Sequence, residues 1–313
     1  MDKQEGLVIK STGSFYHVRT RDARIITCRL RGNFRIKGIK VTNPIAVGDR
    51  VLFIQDSEYG FITDITQRKN YIYRKSVNLS KITHIIAANI DTAFLVISLT
   101  DPRTPLGFID RFLVASESFR IKTILVFNKV DLYNADLKHY HKSLQKIYTD
   151  IGYECISTSV ITGEGIETLK SKMQDRISLF SGQSGVGKSS IINAIEPDLQ
   201  LKIATISDYN NKGKHTTTFA EMFELSFGGF IIDTPGIKEF GLIEYEQEEV
   251  SHYFPEMLRL LPQCKFSNCI HTHEPECAVK QALEEDLIAQ SRYENYLAII
   301  HDEDIQLKSW MLE

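Results

Sequence analysis

Ser181-Gly182-Gln183-Ser184-Gly185-Val186-Gly187-Lys188-Ser189-Ser190 carries the pattern G-x-x-x-x-G-K-S, directly behind the apolar run Ile177–Phe180 and ahead of the helix-like stretch Ser190–Ile195. Strand, glycine-rich loop and helix in that order make a phosphate-binding loop. Its glycines let the backbone curl round phosphate, and its N–H groups face inward at a helix N-terminus. Lys188 then reaches the β- and γ-phosphates, and the Ser189 hydroxyl ligates Mg²⁺. Gly182, Gln183, Ser184, Gly185, Val186, Gly187, Lys188, Ser189 and Ser190 are therefore the candidate phosphate-binding residues.

Upstream, Ala93–Ser98 and Ile124–Phe127 are continuous apolar runs of the kind found in parallel strands buried on both faces, with helical spacing over Phe108–Phe119. The second run ends in Asn128-Lys129-Val130-Asp131, an N-K-x-D box at the carboxyl end of a strand, where open α/β sheets bind ligands. Asp131 accepts hydrogen bonds from guanine N1–H and the exocyclic amine, Asn128 meets the other edge, and the Lys129 stem covers the ring. Buried polar groups of this kind reject the wrong base because they would be left unpaired. A third short strand, Cys155–Ser159, supplies Ser157 and Thr158 as candidates for supporting guanine O6. With the phosphate loop, the box makes GTP and GDP the expected nucleotides.

Downstream, Gly213-Lys214-His215-Thr216-Thr217-Thr218 lies in a polar stretch, and Thr216 or Thr217 is expected to close over Mg²⁺ and the γ-phosphate. Strand-like Phe219–Leu225 and Phe230–Ile232 follow, the second ending in the D-x-x-G box Asp233-Thr234-Pro235-Gly236, which brings a carboxylate to Mg²⁺ and the Gly236 amide to the γ-phosphate. N-K-x-D precedes the phosphate loop and D-x-x-G, the reverse of the usual GTPase order. The domain reads as circularly permuted, which close chain termini permit. The last nucleotide-sensing element then runs directly into residues 240–313, and nucleotide state is expected to move them.

That C-terminal segment holds Cys264, Cys269, His271 and Cys277 at C-x4-C-x-H-x5-C. Three thiolates and an imidazole suit tetrahedral Zn²⁺ and leave no open position, so the site reads as structural, with His273 as a substitute ligand. Glu246–Leu261 and Ala278–Lys308 look helical around it.

At the other end, Gly6–Lys10, Phe15–Thr20, Arg24–Arg29, Arg50–Gln55 and Gly60–Ile65 read as five short strands, the signature of a small OB-type barrel. Residues 66–90 read as a connector. Residues 1–75 carry 15 Lys and Arg against 7 Asp and Glu, although the whole chain has net charge -3. Such a basic end, with Arg19, Arg21, Arg24, Arg29, Arg31, Arg35 and Lys37 on or between strands and Phe15, Tyr16, Phe34 and Phe53 for stacking, fits RNA.

The 313 residues, 42% hydrophobic and 25% charged, are ordinary for a globular chain. No apolar run reaches transmembrane length, and the start, Met1-Asp2-Lys3-Gln4-Glu5, has no secretory character. A cytoplasmic monomer without membrane contact is expected, in three domains: a barrel over 1–68, a permuted α/β phosphate-loop GTPase domain over 69–243 and a helical zinc subdomain over 244–313.

Taken together, the barrel, the permuted boxes with Gly-Lys-His-Thr-Thr, and C-x4-C-x-H-x5-C resemble one family over nearly the whole chain, the ribosome small subunit-dependent GTPase A or RsgA family. The resemblance implies a GTPase that assists late maturation of the small ribosomal subunit. It also implies binding of ribosomal RNA through barrel and zinc subdomain, and stimulation by the subunit. Ile237 stands where many GTPases carry the water-orienting glutamine, so unassisted turnover is expected to be slow, and the resemblance makes His215 the residue that positions water. Lys214 stands where many members have arginine. Two other readings fit the same residues: a permuted GTPase acting on another ribosomal RNA particle, and a nucleotide-gated RNA-binding module.

Overall fold

A computed structural model describes residues 3–30, 44–56, 58–75, 83–199, 220–233 and 246–301. These fall into two compact units, one drawn from within 1–93, 169–180 and 192–236, the other from within 94–168, 181–191 and 237–313.

The first unit opens with a five-stranded barrel: β1 (Gln4–Ser11), β2 (Tyr16–Thr20), β3 (Ile25–Leu30), β4 (Arg50–Asp56) and β5 (Tyr59–Ile65). Pairing runs β1-β2-β3-β5-β4 and closes through β1–β4, which removes sheet edges. Alternation along each strand turns Val8, Val18, Ile26, Cys28, Val51, Phe53 and Ile62 into one core, with Tyr16 and Ile45 completing it. Two of the aromatics expected to stack on RNA, Tyr16 and Phe53, are therefore core residues. Much of the expected basic face is also engaged: Arg19 pairs with Glu224, Arg21 with Glu5 and Arg24 with Asp22. Arg29 lies over the rings of Phe15 and Tyr59, at 4.4 and 4.9 Å from their centroids. Phe34, Arg31, Arg35 and Lys37 lie outside the described residues.

Where a connector was expected, β6 (Tyr71–Lys75) and β7 (Thr83–Ala88) form a two-stranded ribbon. It joins the barrel turn by a bridge between Val47 and Ala87. Arg68 secures the same turn, giving Nε and Nη2 to the buried Asp49 carboxylate at 2.7 Å each and Nη2 to the Pro44 carbonyl. In the same unit, β11 (Ile177–Ser181) runs parallel to β13 (Phe230–Asp233), and β12 (Glu221–Glu224) folds back antiparallel on β13 and meets β1.

The second unit contains β8 (Thr92–Ser98), β9 (Lys122–Asn128) and β10 (Glu154–Thr158), neighbours in the order β10-β9-β8. Every residue of β8 and all but the first of β9 are buried. Burying each large apolar side chain contributes about 1.5–3 kcal/mol, so these strands are a main source of stability. α1 (Leu106–Ser118) is buried continuously from Phe108 to Ser116, Asp110 and Arg111 included. α2 (Ala135–Asp150) starts on an Asn134 cap, whose Oδ1 accepts from Leu137 N; α3 (Ile166–Met173) and α4 (Lys188–Ile195) follow, each with residues in both units.

The C-terminal helices are shorter than the sequence pattern indicated. The first stretch divides into α5 (Gln247–Val250) and α6 (Pro255–Leu260), because Pro255 forces Phe254 into extended backbone. The second divides into α7 (Ala278–Glu284) and α8 (Gln290–Ile300). They share a core of Val250, Phe254, Met257, Val279, Tyr293 and Tyr296 with Val114 of α1. Among the described residues no helix is long and apolar enough to cross a membrane.

Candidate functional site

The phosphate loop follows β11 as its pattern requires. Gly182 and Gly187 take φ values of +141° and +99°, a region closed to most L-residues. Space is short as well: a Cβ at Gly182 would lie 2.4 Å from the Val96 carbonyl oxygen, and one at Gly187 would lie 2.3 Å from Asn128 Nδ2. Lys188, the first residue of α4, folds back across the loop and donates to the carbonyls of Gly182 and Gln183 at 2.7 and 2.6 Å. A cation thus stands over a glycine-rich turn at a helix start, with Ser184, Gly185, Ser189 and Ser190 exposed and Val186 buried beneath. These residues fit a polyphosphate.

Asn128 ends β9 buried, and its side-chain amide joins two other elements. Nδ2 donates to the Val186 carbonyl at 2.9 Å, and Oδ1 accepts from Thr158 Oγ1 at 3.0 Å. Parallel pairing explains the second contact, since Thr158 of β10 stands in register with Asn128. The N-K-x-D asparagine is thus locked to the phosphate loop on one side and to β10 on the other. Lys129 takes the left-handed conformation, with φ 62°, and gives Nζ to the Asp101 carbonyl at 2.9 Å. Asp131 follows in a single 3-10 turn with its carboxylate exposed.

Of the two residues assigned to guanine O6, Thr158 joins this group and Ser157 faces the other way. The Ser157 hydroxyl meets Gln145 Nε2 at 3.2 Å and His141 Nε2 at 3.4 Å, both on α2. Ser159, which sequence reasoning passed over, organises the loop after β10. Fully buried, it donates N–H to Glu164, accepts from Gly163 at its carbonyl and accepts from Thr162 N at Oγ. Its signal was positional, as the first residue beyond the strand end that is level with Asn128.

Asp233 ends β13 opposite Glu221. His215, Thr216, Thr217 and Gly236 lie outside the described residues.

In the C-terminal segment, Cys264, Cys269, His271 and Cys277 bring their ligand atoms within 4.8 Å of one another. His271 Nδ1 lies 3.7 Å from Cys264 Sγ and 3.4 Å from Cys277 Sγ. With metal–sulfur bonds of about 2.3 Å and metal–nitrogen bonds of about 2.0 Å, a tetrahedral ion sets N···S edges near 3.5 Å, so the group fits zinc. Burial pushes the Cys269 thiol up to about 12 and holds His271 below its usual value; the neutral imidazole that results is the form that binds metal. Nearby groups hold the ligand loop in shape. Glu274 accepts the N–H groups of Ile270 and Thr272, while Tyr293 and Tyr296 of α8 donate their hydroxyls to the His271 and Ile270 carbonyls at 2.7 and 2.5 Å. His273, the substitute ligand, is exposed, with Nδ1 2.9 Å from Thr272 Oγ1.

Comparison with known proteins extends over nearly the whole chain. The RsgA N-terminal domain matches residues 5–62, and the RsgA GTPase matches 65–243. A Bacteroides fragilis protein named small ribosomal subunit biogenesis GTPase RsgA is 52% identical over 301 residues, 96% of this chain and 97% of its own. A Flavobacterium psychrophilum protein of the same name is 54% identical over 303 residues, 96% and 93% of the two chains. Among solved structures, YjeQ from Thermotoga maritima is 37% identical with a TM-score of 0.79, covering 96% of this chain and 98% of that one. YloQ, described as a circularly permuted GTPase, is 31% identical with a TM-score of 0.76, covering 96% and 95%. The chain belongs to the RsgA family of circularly permuted GTPases.

Proposed function

We propose that this GTPase acts on the small ribosomal subunit late in its maturation, as a monomer that the subunit stimulates. It contacts ribosomal RNA through the barrel and the C-terminal helices. The reading is carried by relatives of that name at 52–54% identity across 93–97% of their length.

Within the site, Asp131 accepts from the guanine edge, and Asn128 holds the phosphate loop against β10. Thr158 fixes the Asn128 amide. Lys188 draws charge from the β- and γ-phosphates, and backbone N–H groups of Gly185 to Ser189 cradle them. Mg²⁺, when bound, neutralises charge developing on the transferred phosphoryl group. Ser189, Thr217 and Asp233 would hold it, with Thr216 as the other candidate of the same stretch. His215 positions water, the task that Ile237 cannot perform. Cys264, Cys269, His271 and Cys277 hold one zinc whose role is to fold the segment around it.

GTP turnover measured alone, with small subunits and with large subunits tests the proposal. A rise of about ten-fold or more, equivalent to about 1.4 kcal/mol off the barrier, is expected with small subunits only. No rise despite tight GTP binding overturns it in favour of a nucleotide-gated RNA-binding module, and a rise with large subunits moves the target to another particle.

A further inference from the structure

Tyr133 follows the single 3-10 turn that carries Asp131, and it is buried while Asp131 and Leu132 before it are exposed. A buried ring beside a turn is ordinary packing, but the hydroxyl of this one has a specific place. It donates to the Asn128 carbonyl at 3.2 Å and takes a hydrogen bond from the Leu99 main chain. Asn128 ends β9 and Leu99 directly follows β8. One oxygen therefore ties together the carboxyl ends of two neighbouring strands, the edge where open α/β sheets bind ligands.

The bond to Asn128 also closes the N-K-x-D box into a ring. Lys129, with φ 62°, turns the chain back on itself. Leu132 N–H then donates to the Lys129 carbonyl at 3.0 Å, and Tyr133 N–H donates to the Val130 carbonyl at 3.2 Å. The ends of the run 128–133 are joined by a side chain and its interior by two main-chain bonds. The Tyr133 ring is itself held edge-on against His141 of α2, with centroids 5.4 Å apart, and His141 meets Phe127 of β9 at 4.9 Å. Burial first, and the Asp131 carboxylate as a lesser cause, push the Tyr133 hydroxyl up to about 12, so it keeps its proton and stays a donor.

We infer that Tyr133 is a positioning residue for guanine: its hydroxyl fixes the ring 128–133 so that the exposed Asp131 carboxylate meets the base in one orientation. This role rests on Asp131 reading the guanine edge. A loop already in its bound shape has less freedom to lose when the nucleotide arrives. Selectivity gains as well, because a carboxylate held in place is left unpaired by a base that lacks the exocyclic amine, whereas a free one turns to water.

Titration of the full chain with GTP and with inosine triphosphate, which lacks only that amine, tests the role. Wild type is expected to favour GTP by about ten-fold or more. Tyr133→Phe keeps the ring against His141 and removes one oxygen; it is expected to narrow that preference about five-fold, raising KM for GTP while kcat at saturation holds. In an Asp131→Ala background the same substitution is expected to change neither affinity. With 4-aminophenylalanine at position 133, which places a donor where the hydroxyl was, the preference returns. A Tyr133→Phe protein that melts cooperatively and keeps the wild-type preference overturns the inference. So does a loss of GTP affinity that is equal with and without the Asp131 carboxylate. A wild type blind to the amine overturns the Asp131 reading itself, and the inference with it, which tells the two failures apart.

Discussion

Gly187 is where conformation, packing and chemistry meet in one residue. Gly187→Ala would need a left-handed backbone and would drive a Cβ into the Asn128 amide, 2.3 Å away. We expect a loss of about 1–3 kcal/mol in stability and at least 100-fold in GTP affinity, read by thermal melting and nucleotide titration. Asp131→Asn replaces an acceptor with a donor at the guanine edge. It is expected to weaken GTP by a factor of about 10²–10⁴ and to favour xanthosine triphosphate, whose base presents the matching acceptor; competition titration decides. At this scale the placement of the two boxes, N-K-x-D at the end of β9 and G-K-S at the start of α4, was legible, because each is a short run of adjacent residues. The Thr158–Asn128 contact was not, since it arises from the register of two strands 30 residues apart. Ser157 and Thr158 could not both reach Asn128, because neighbouring strand residues point to opposite faces.

Among the elements, α1 is held to the C-terminal helices by buried charge. Arg292 of α8 gives Nη1 to Asp110 at 2.6 Å and Nε to Glu256 at 2.7 Å, while Tyr148 and Asn295 also donate to Asp110. Burial works against the guanidinium charge, and the two carboxylates more than offset it, raising its pKa. Removing one partner strands the others, so Arg292→Ala is expected to cost about 3–5 kcal/mol in denaturant unfolding. Replacing Arg292, Asp110 and Glu256 together by apolar residues of similar size should cost far less. Apolar spacing announced α1 but hid this cluster, because Asp110 and Arg111 look like solvent-facing residues until partners 182 positions away are seen. The β6–β7 ribbon escaped notice because two short strands with a long connection lack the tight-turn signal that marks a hairpin.

Across the whole molecule, permutation alone pointed to residues 240–313 as the part that nucleotide moves. The buried Arg292 cluster argues for α8 staying fixed on α1. Exchange in α5–α8 is accordingly expected to be alike in GDP and GTP states. Zinc acts locally in this scheme. Chelation is expected to remove one metal per chain and to raise exchange across 246–301, where Tyr293 and Tyr296 depend on the ligand loop, while leaving 4–30 protected; metal analysis beside exchange mapping checks both halves. The pairing of β1 also sets a timetable. Lys10 and Glu221 are 211 residues apart, so at synthesis rates of 5–20 residues per second roughly 10–40 s pass before the partner of that edge exists. During translation the newborn barrel has an open flank there, and the charge on Lys10 protects it against pairing with another nascent chain.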